Sequence, residues 1–436
     1  MPSRLLRSMG LIMLLAALVG AGPALAQRLP SLGVLPALPL PSPGQVTGDL
    51  RGATGSLEND INALADARLI RLRDLARANP KALELDGRGA PVVRGEVMAI
   101  DPARGVLADA LRAGFSVLRT STLDPLGIQV VVLAPPEGMA AKDGLRRLRK
   151  LDPGGQYDLD HIYAQSGAAG AATGISPVTG QTVTTKVRVG MLDTGVASNH
   201  AVFVGEQITQ KGFAPGGVTA AAHGTAVASL MVGRDGGGFH GVIPGARLYA
   251  ADVYGGGPTG GSAEAIVRAL AWMAQEHVPV VNVSLVGPAN LTVAATVRAL
   301  LARGVLVVAP VGNDGPAAPP LYPASYPGVI AVTAVDGRDR LLLEAGHAAH
   351  TDFAAPGADI WAARPEGGMV KVRGTSFAAP MVSGRLALLN LDPSPASATR
   401  AIAELAHTAR APRGQGGIGH GVIGDDLATA LSGSAK

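Results

Sequence analysis

The sequence predicts an α/β protein: a doubly wound parallel sheet preceded by a small α+β module of the split βαβ plan. Two observations support this prediction. In the second half of the chain, short strands that are apolar throughout alternate with helices, which is typical of a parallel sheet covered on both faces. In the first half, the segments follow the order β-α-β-β-α-β, which buries one face of a sheet under two helices.

The composition limits the classes of protein to which the chain can belong. Its 436 residues are 47% hydrophobic, the globular norm, which excludes wholesale disorder. The net charge is only +4, and no block of Lys and Arg is interleaved with aromatic residues, so no nucleic acid is expected as a partner. The absence of cysteine excludes disulfides, thiolate metal sites and a cysteine nucleophile.

Residues 1–26 have the three-part layout of a secretory signal peptide. Arg4 and Arg7 supply a positive start, Leu11–Val19 is apolar, and Ala24-Leu25-Ala26 offers small residues to a signal peptidase. Nothing later in the sequence approaches ~18 consecutive apolar residues, so no membrane span is expected once the signal is removed. We therefore expect an exported protein, either periplasmic or secreted.

Residues 27–90 are predicted to contain a Pro-rich linker and, from Ser56, an amphipathic helix that Asn79-Pro80 ends. Residues 91–164 form the predicted small module, whose elements follow from apolar alternation and turn residues. Its strands are Val92–Ile100, Phe115–Leu123, Ile128–Leu133 and Tyr157–Tyr163, and its helices are Pro102–Ala113 and Met139–Leu151.

Residues 165–436, with a core at 186–431, are predicted to form the parallel sheet. The Gly- and Ala-rich stretch Gly167–Thr185 has no periodicity and is interpreted as a loop. The expected strands are Val187–Leu192, Arg247–Val253, Pro279–Ser284, Val305–Val311 and Val329–Val335. The expected helices are His223–Val232, Ser262–His277, Thr292–Arg303, Thr375–Asn390 and Ser394–Thr408. In such sheets, function collects at the carboxyl ends of the strands.

Three residues near those ends carry the side chains of nucleophilic acyl transfer. Asp193 follows the first strand, whereas His223 and Ser376 each open a helix. Taken singly, each is an ordinary cap or turn residue. Together they supply a hydroxyl nucleophile, an imidazole base with an unperturbed pKa of ~6.5, and a carboxylate that fixes the tautomer of the ring.

The segments around these residues, in the order Asp, His, Ser, resemble those of the subtilisin-like serine peptidases, the subtilases, over about Lys186–Leu431. The resemblance implies that Asp193 orients His223, that His223 is the general base and then the acid, and that Ser376 attacks. Val311-Gly312-Asn313-Asp314-Gly315 resembles the oxyanion-hole segment of the family. The implied donors are the Asn313 side-chain amide and the Ser376 backbone N–H.

Two further segments resemble the edges of the family's substrate cleft, where a peptide gains backbone hydrogen bonds. The residues implied to bind substrate are Val253, Tyr254, Gly255, Gly256, Ser284, Leu285, Val286, Gly287 and Gly312. Val286 stands where the family usually has glycine, which narrows the cleft. Pro380 lacks an N–H for the Ser376 carbonyl, which loosens the helix beside the nucleophile.

The resemblance also bears on cofactors and partners. The chemistry requires no cofactor or metal, and a structural calcium ion is not supported, because Ala201-Val202-Phe203 stands where the family often has an acidic ligand. The expected partners are protein or peptide substrates, and a monomer is expected.

Many subtilases carry a propeptide of the split βαβ plan, so residues 91–164 are implied to be a folding aid and inhibitor. We expect self-cleavage between about Asp160 and Thr185, and hence an exported serine endopeptidase made as a zymogen.

Two other functions stay open at this point. A catalytically retired peptidase of the same fold would serve as a peptide-binding or scaffolding protein, although the intact triad and Asn313 argue against it. An esterase of the α/β-hydrolase type would need Gly-x-Ser-x-Gly, whereas Ser376 is flanked by Gly374 and Ala378.

Overall fold

A computed structural model describes residues 68–166, 168–173 (backbone only), 186–235, 238–411 and 417–424. The predicted signal peptide, the linker and the first part of the predicted amphipathic helix lie outside these ranges. Residues 68–78 are helical and are named α1. Among the described residues, no helix is both long and apolar enough to cross a membrane.

The small module is an antiparallel sheet with two helices on one face. Its strands are β1 (Leu83–Leu85), β2 (Pro91–Ile100), β3 (Ser116–Leu123), β4 (Ile128–Ala134) and β5 (Gln156–His161), and its helices are α2 (Arg104–Arg112) and α3 (Ala141–Leu151). β2 pairs with β1, β4 and β5, and β3 pairs with β4. The predicted order of strands and helices is confirmed, with β1 as an unforeseen addition.

Alternation along β4 explains how both faces of this sheet are buried. Val131 and Leu133 point to the side of α2 and α3, where they share a core with Phe115 and Leu148. Val130 and Val132, on the opposite face, belong to the core that contains two helices of the main sheet. Because side chains of a strand alternate between faces, an apolar run lets one strand serve both cores.

The main sheet has seven parallel strands in the order β15-β14-β13-β11-β8-β10-β9. Their bounds are β8 (Arg188–Asp193), β9 (Gln207–Gly212), β10 (Arg247–Asp252), β11 (Val280–Val283), β13 (Leu306–Pro310), β14 (Ile330–Val335) and β15 (Phe353–Pro356). The five predicted strands are the five inner ones. The two edge strands escaped prediction; β9 is mostly polar, and β15 is a short Ala-rich strand.

Helices cover both faces of the main sheet, as the doubly wound prediction requires. They are α4 (Ala222–Val232), α5 (Ala263–Gln275), α6 (Leu291–Leu301), α7 (Thr375–Leu389) and α8 (Pro395–Thr408). α4, α7 and α8 share one core with one set of strand side chains, and α5 and α6 share a second core with the alternate set. The second core also holds the outer face of the small module.

The prediction that Gly167–Thr185 is a loop is wrong in part. Ala168–Thr173 is a strand, β7, which pairs antiparallel with β17 (Met369–Arg373) beside β16 (Ile360–Ala363). A Gly/Ala stretch has no side-chain pattern, so backbone hydrogen bonds to an open strand edge decide its conformation. The rest of the stretch, 174–185, lies outside the described residues.

The predicted last strand of the module is also shorter than expected. β5 ends at His161 instead of Tyr163. The chain then leaves the module sheet and forms β6 (Ala164–Gln165), which pairs antiparallel with β12 (Leu285–Val286) of the main body. The residues from Ile162 to Ser166, which carry the chain away from the module, are called the tail below.

Candidate active site

Asp193 lies at the carboxyl end of β8, near the centre of the sheet, with its side chain fully buried. α4 begins beside it, and His223 is the second residue of that helix. The start of α4 can lie this close to the end of β8 because Gly224 has no side chain: a Cβ there would lie 2.3 Å from the Thr194 carbonyl oxygen. The Gly224 N–H donates to Thr194 Oγ1 at 2.9 Å, which fixes the start of α4 against the end of β8.

His223 Nδ1 lies 2.8 Å from both carboxylate oxygens of Asp193, to which it donates a hydrogen bond. Burial opposes the charged form of the ring, but the Asp193 carboxylate and the Ser166 carbonyl favour it more strongly, so the pKa of His223 is raised above its ordinary 6.5. The arrangement fixes the ring and stabilises the imidazolium.

Ser376 is the second residue of α7 and is fully buried. The ring of the next residue, Phe377, packs on the His223 ring with centroids 5.3 Å apart, so the serine and the imidazole share one site. Ser376 Oγ has no hydrogen-bond partner among the described residues. A buried hydroxyl without a partner is costly in an ordinary core and is typical of a reacting group.

Pro380 leaves the Ser376 carbonyl free, as expected, and the structure shows what takes its place. Ser284 Oγ donates to that carbonyl at 3.3 Å, and Ser284 Oγ in turn accepts from Asn282 Nδ2 at 2.7 Å. α7 continues through Pro380. The strand that borders the cleft therefore holds the first turn of α7, which carries Ser376.

Asn313 lies beside this turn in an orientation that is set by a hydrogen bond. Its Oδ1 accepts from the Thr375 N–H at 2.9 Å, so its Nδ2 donors point the other way, and one donates to Ser166 Oγ at 2.9 Å. Gly312, before it, has a φ of 101°, and a Cβ there would lie 2.8 Å from Leu321 Cδ1. Glycine is therefore required for the turn that presents Asn313.

The tail occupies the cleft. β6 pairs with Leu285–Val286, two of the residues implied to bind substrate. Ser166 follows, with its carbonyl oxygen 3.3 Å from His223 Nε2 and its hydroxyl 3.3 Å from Thr375 Oγ1. Beyond it, β7 pairs with β17, which ends two residues before Thr375. Strand pairing on both sides thus holds the chain across the start of α7.

Four more of the implied substrate-binding residues, Val253, Tyr254, Gly255 and Gly256, follow β10 at the opposite edge of the cleft. Val253 is buried after β10, and Gly255 lies against a neighbouring loop, as Gly256 does. The tail forms its backbone hydrogen bond with a different residue at this edge: the Tyr163 N–H donates to the Gly261 carbonyl at 2.8 Å. Gly261 was missed because an isolated glycine in a Gly-rich stretch carries no distinguishing signal.

A second unforeseen contact joins α1 to the cleft. Arg68 forms a buried ion pair with Asp314, the residue after Asn313. A cavity of about 660 Å³ lies between α1 and the cleft, and its lining includes Leu72, Ser166 and Asn313. The partners are 246 residues apart in sequence, so no local pattern could have predicted the pair.

One group of acidic residues has the spacing of a metal site but is already paired with an arginine. Glu96, Asp160 and Glu264 have carboxylate oxygens within 4.8 Å of one another, between the module and α5. Arg119 donates to both Glu96 and Glu264. Burial, followed by the charge of Glu96, raises the pKa of Asp160 well above its usual value. The guanidinium therefore supplies the positive charge that a cation would bring.

Comparisons with known proteins identify relatives. The family model described as the subtilase family matches residues 184–421, more than half of the chain. Subtilisin DY from Bacillus licheniformis is 35% identical over 217 residues, which are 47% of this chain and 76% of that protein. An alkaline protease from Alkalihalobacillus alcalophilus is 33% identical over 256 residues, which are 55% of this chain and 65% of that protein.

A solved structure extends the likeness of fold. Fervidolysin from Fervidobacterium pennivorans, a keratinolytic enzyme related to subtilisin, matches with a TM-score of 0.65 at 21% identity. The match covers 79% of this chain and 62% of that one, so it reaches beyond the residues that the family model matches.

The Asp193–His223 pair predicts a pH effect. Replacing Asp193 by Asn removes the charge that raises the pKa of His223 and leaves burial, which lowers it. The imidazolium of the Asp193→Asn chain should therefore lose its proton at a lower pH than that of the parent. Histidine NMR titration of the two full-length proteins, each also carrying Ser376→Ala so that neither can cleave itself, measures the difference, with exposed His407 as internal reference. Equal pKa values for His223 in the two proteins would contradict the conclusion that the Asp193 charge raises the pKa of the ring.

Proposed function

The chain belongs to the subtilase family of serine endopeptidases, and we propose that Asp193, His223 and Ser376 are its catalytic triad and that it is exported as a self-inhibited precursor. The observation that carries the proposal is the tail, whose Ser166 carbonyl lies beside the imidazole of a buried Asp–His pair. Export is inferred from the signal-like residues 1–26.

The triad acts on a peptide carbonyl in two stages. His223 accepts the Ser376 proton as Oγ attacks, Asp193 stabilises the resulting imidazolium, and His223 then gives the proton to the leaving amine. Water repeats the sequence on the acyl-enzyme and releases the acid. Because His223 must be neutral to begin, its raised pKa in the precursor means that acylation speeds up as the pH rises through that value.

The oxyanion is bound by donors that are already oriented. Asn313 cannot rotate without losing the Thr375 N–H, so its amide is aimed before the reaction starts. The Ser376 N–H, in the first turn of α7, is the second donor. Loss of one such donor typically costs ~10²–10³ in turnover. In the precursor, the Ser166 hydroxyl takes the Asn313 donor, which is the contact expected of an inhibitor.

The small module is proposed to be the propeptide. Besides its apolar face, it offers carboxylates to two helix N-termini: Asp158 accepts from the Leu291 N–H of α6 at 2.7 Å, and Asp160 accepts from the Glu264 N–H of α5 at 2.9 Å. The Asp158 carboxylate places negative charge at the N-terminus of α6, which is favourable, whereas Asp160, whose pKa burial raises well above its usual value, serves the N-terminus of α5 as a hydrogen-bond acceptor. These contacts attach the module to α5 and α6 and direct the tail into the cleft.

The bond after Ser166 is proposed to be the one that the enzyme cleaves in itself. It lies within the interval 160–185 expected from the sequence. The strand pairs β6–β12 and β7–β17 restrain the chain on its two sides, which supplies the orientation that acyl transfer requires. The module, still bound, then acts as an inhibitor until it dissociates. The reaction needs no cofactor.

Ser376→Ala tests both the nucleophile and the processing. The wild-type precursor should yield a product whose N-terminal residue is Gly167 and which reacts with a fluorophosphonate. The Ser376→Ala precursor should stay intact and unlabelled because the attacking hydroxyl is gone. Ser198→Ala, at an exposed position, is the matched control and should behave as wild type. An active enzyme that remains intact from Gln27 would contradict the proposal that the protein is made as a zymogen. A labelled Ser376→Ala chain would contradict the proposal that Ser376 is the nucleophile.

Asp158→Ala tests the inhibitor. The module should leave sooner because the Leu291 N–H loses a charged acceptor, an interaction worth about 1.5–3 kcal/mol. We expect the lag before casein hydrolysis to shorten about tenfold or more. Asp143→Ala removes a carboxylate that pairs with Arg146 within α3 and should leave the lag unchanged. Equal lags for the two variants would contradict the docking role.

A further inference from the structure

Asp252 carries a buried carboxyl group that the proposed mechanism does not use. It ends β10, and its register partner on the neighbouring strand β8 is Asp193. Only 1% of the residue is exposed. A buried carboxylate is costly unless hydrogen bonds satisfy it, so the contacts of Asp252 indicate what it contributes to the protein.

Three backbone N–H groups donate to this carboxyl group. Asp252 Oδ1 accepts from Tyr254 and Gly255, both at 2.9 Å, and Oδ2 accepts from Thr219 at 2.7 Å. The two oxygens thus bind different segments: one binds the start of the loop after β10, and the other binds the chain that leads into α4. Hydrogen bonds from N–H groups to a carboxylate are stronger than those between neutral groups.

The first of these segments, residues 253–261, is called the edge loop below. Its last residue contacts the tail, because the Gly261 carbonyl accepts from the Tyr163 N–H at 2.8 Å. The neighbouring Gly260 packs on Tyr254, since a Cβ on Gly260 would lie 2.3 Å from the Tyr254 carbonyl oxygen. The part of the loop that reaches the tail therefore rests on a residue that the carboxyl group holds.

The second segment leads to the catalytic base. Thr219 lies four residues before His223. A Cβ on Gly195 would lie 2.6 Å from the Thr219 carbonyl oxygen and 3.0 Å from Asp252 Oδ2, so the three residues are tightly packed. The Ala221 N–H donates to the Gly195 carbonyl at 3.1 Å. The entry to α4 is thus fixed against the end of β8 and against the carboxyl group.

We infer that Asp252 is a positioning residue, whose carboxyl group holds the edge loop at a set distance from the helix that carries His223. The inference rests on the proposed function, because it takes the tail as occupying the place of a substrate. A group that sets a substrate against the catalytic base acts through orientation, where small displacements are costly. The Asp193–His223 pair has its own hydrogen bonds and should keep its geometry without Asp252.

Processed enzyme, one peptide and a fluorophosphonate test the inference. The peptide, acetyl-Tyr-Ala-Gln-Ser-p-nitroanilide, has the sequence of the tail up to Ser166 and extends along the edge loop, whereas the fluorophosphonate needs only the triad and the oxyanion donors. For Asp252→Ala we expect kcat/KM for the peptide to fall about tenfold or more, mainly through KM, and the rate constant of labelling to stay within about twofold of wild type.

Two results for Asp252→Ala would overturn the inference. Equal losses in peptide hydrolysis and in labelling would indicate a general structural role. Wild-type values for both would show that the edge loop needs no anchor. If Asp252→Ala fails to fold or to mature, Asp252→Asn compared with wild type decides the inference alone.

Asp252→Asn keeps the size of the side chain and one acceptor oxygen. That oxygen suffices for the Tyr254 and Gly255 N–H groups, but the new NH₂ group cannot accept from Thr219. We expect a smaller loss of kcat/KM than in Asp252→Ala, with unchanged labelling. A wild-type kcat/KM would overturn the link to Thr219, and a value as low as that of Asp252→Ala would overturn the role of the other two bonds.

Asp336→Ala is the matched control. The Asp336 carboxyl group also accepts from backbone N–H groups, those of Arg338 and Arg340 at 2.9 and 3.0 Å, but it does so in the turn that follows β14. Peptide hydrolysis and labelling should both stay at wild-type values. A loss of peptide hydrolysis as large as that in Asp252→Ala would contradict a role specific to the cleft.

Labelling of the wild-type enzyme separates this inference from the proposed function. If Ser376 is labelled and the Asp252 variants show no selective loss of peptide hydrolysis, the inference fails alone. If wild-type Ser376 is not labelled, the proposed function fails, and the inference fails with it.

Discussion

The hydrogen bond from His223 to Asp193 is the contact around which the active site is arranged. Asp193 is fully buried at the end of a central strand, and a carboxylate in that position is costly unless a partner satisfies it. The partner can approach only because Gly224 lacks a side chain where α4 begins. The His223 ring then packs on Phe377, and this contact brings Ser376 into the same site.

The tail joins inhibition to recognition. The strand pair that places Ser166 beside His223 also places the Tyr163 ring against Gly287, because successive residues of an extended chain advance by a fixed ~3.3 Å. An inhibitor bound in this way must match the subsites as a substrate does.

Several features of the chain follow from local pattern alone. Apolar strands between helices were enough to predict the doubly wound sheet, and the order of segments was enough to predict the split βαβ module. The edge strand β9 was missed because one side of it meets solvent, and β7 was missed because Gly and Ala carry no periodicity. The Arg68–Asp314 pair was missed because its partners are far apart in sequence.

The sequence by itself determined the fold class and the family and indicated the residues that are proposed to carry the chemistry, because these depend on side-chain type, order and short-range spacing. Only the tertiary structure decided which residues meet: that Asn313 is oriented by Thr375, that Ser166 reaches His223, and that the Tyr163 ring packs against Gly287. Such contacts join distant parts of the chain through packing and backbone hydrogen bonds, and neither of these leaves a periodic mark in a local stretch of sequence.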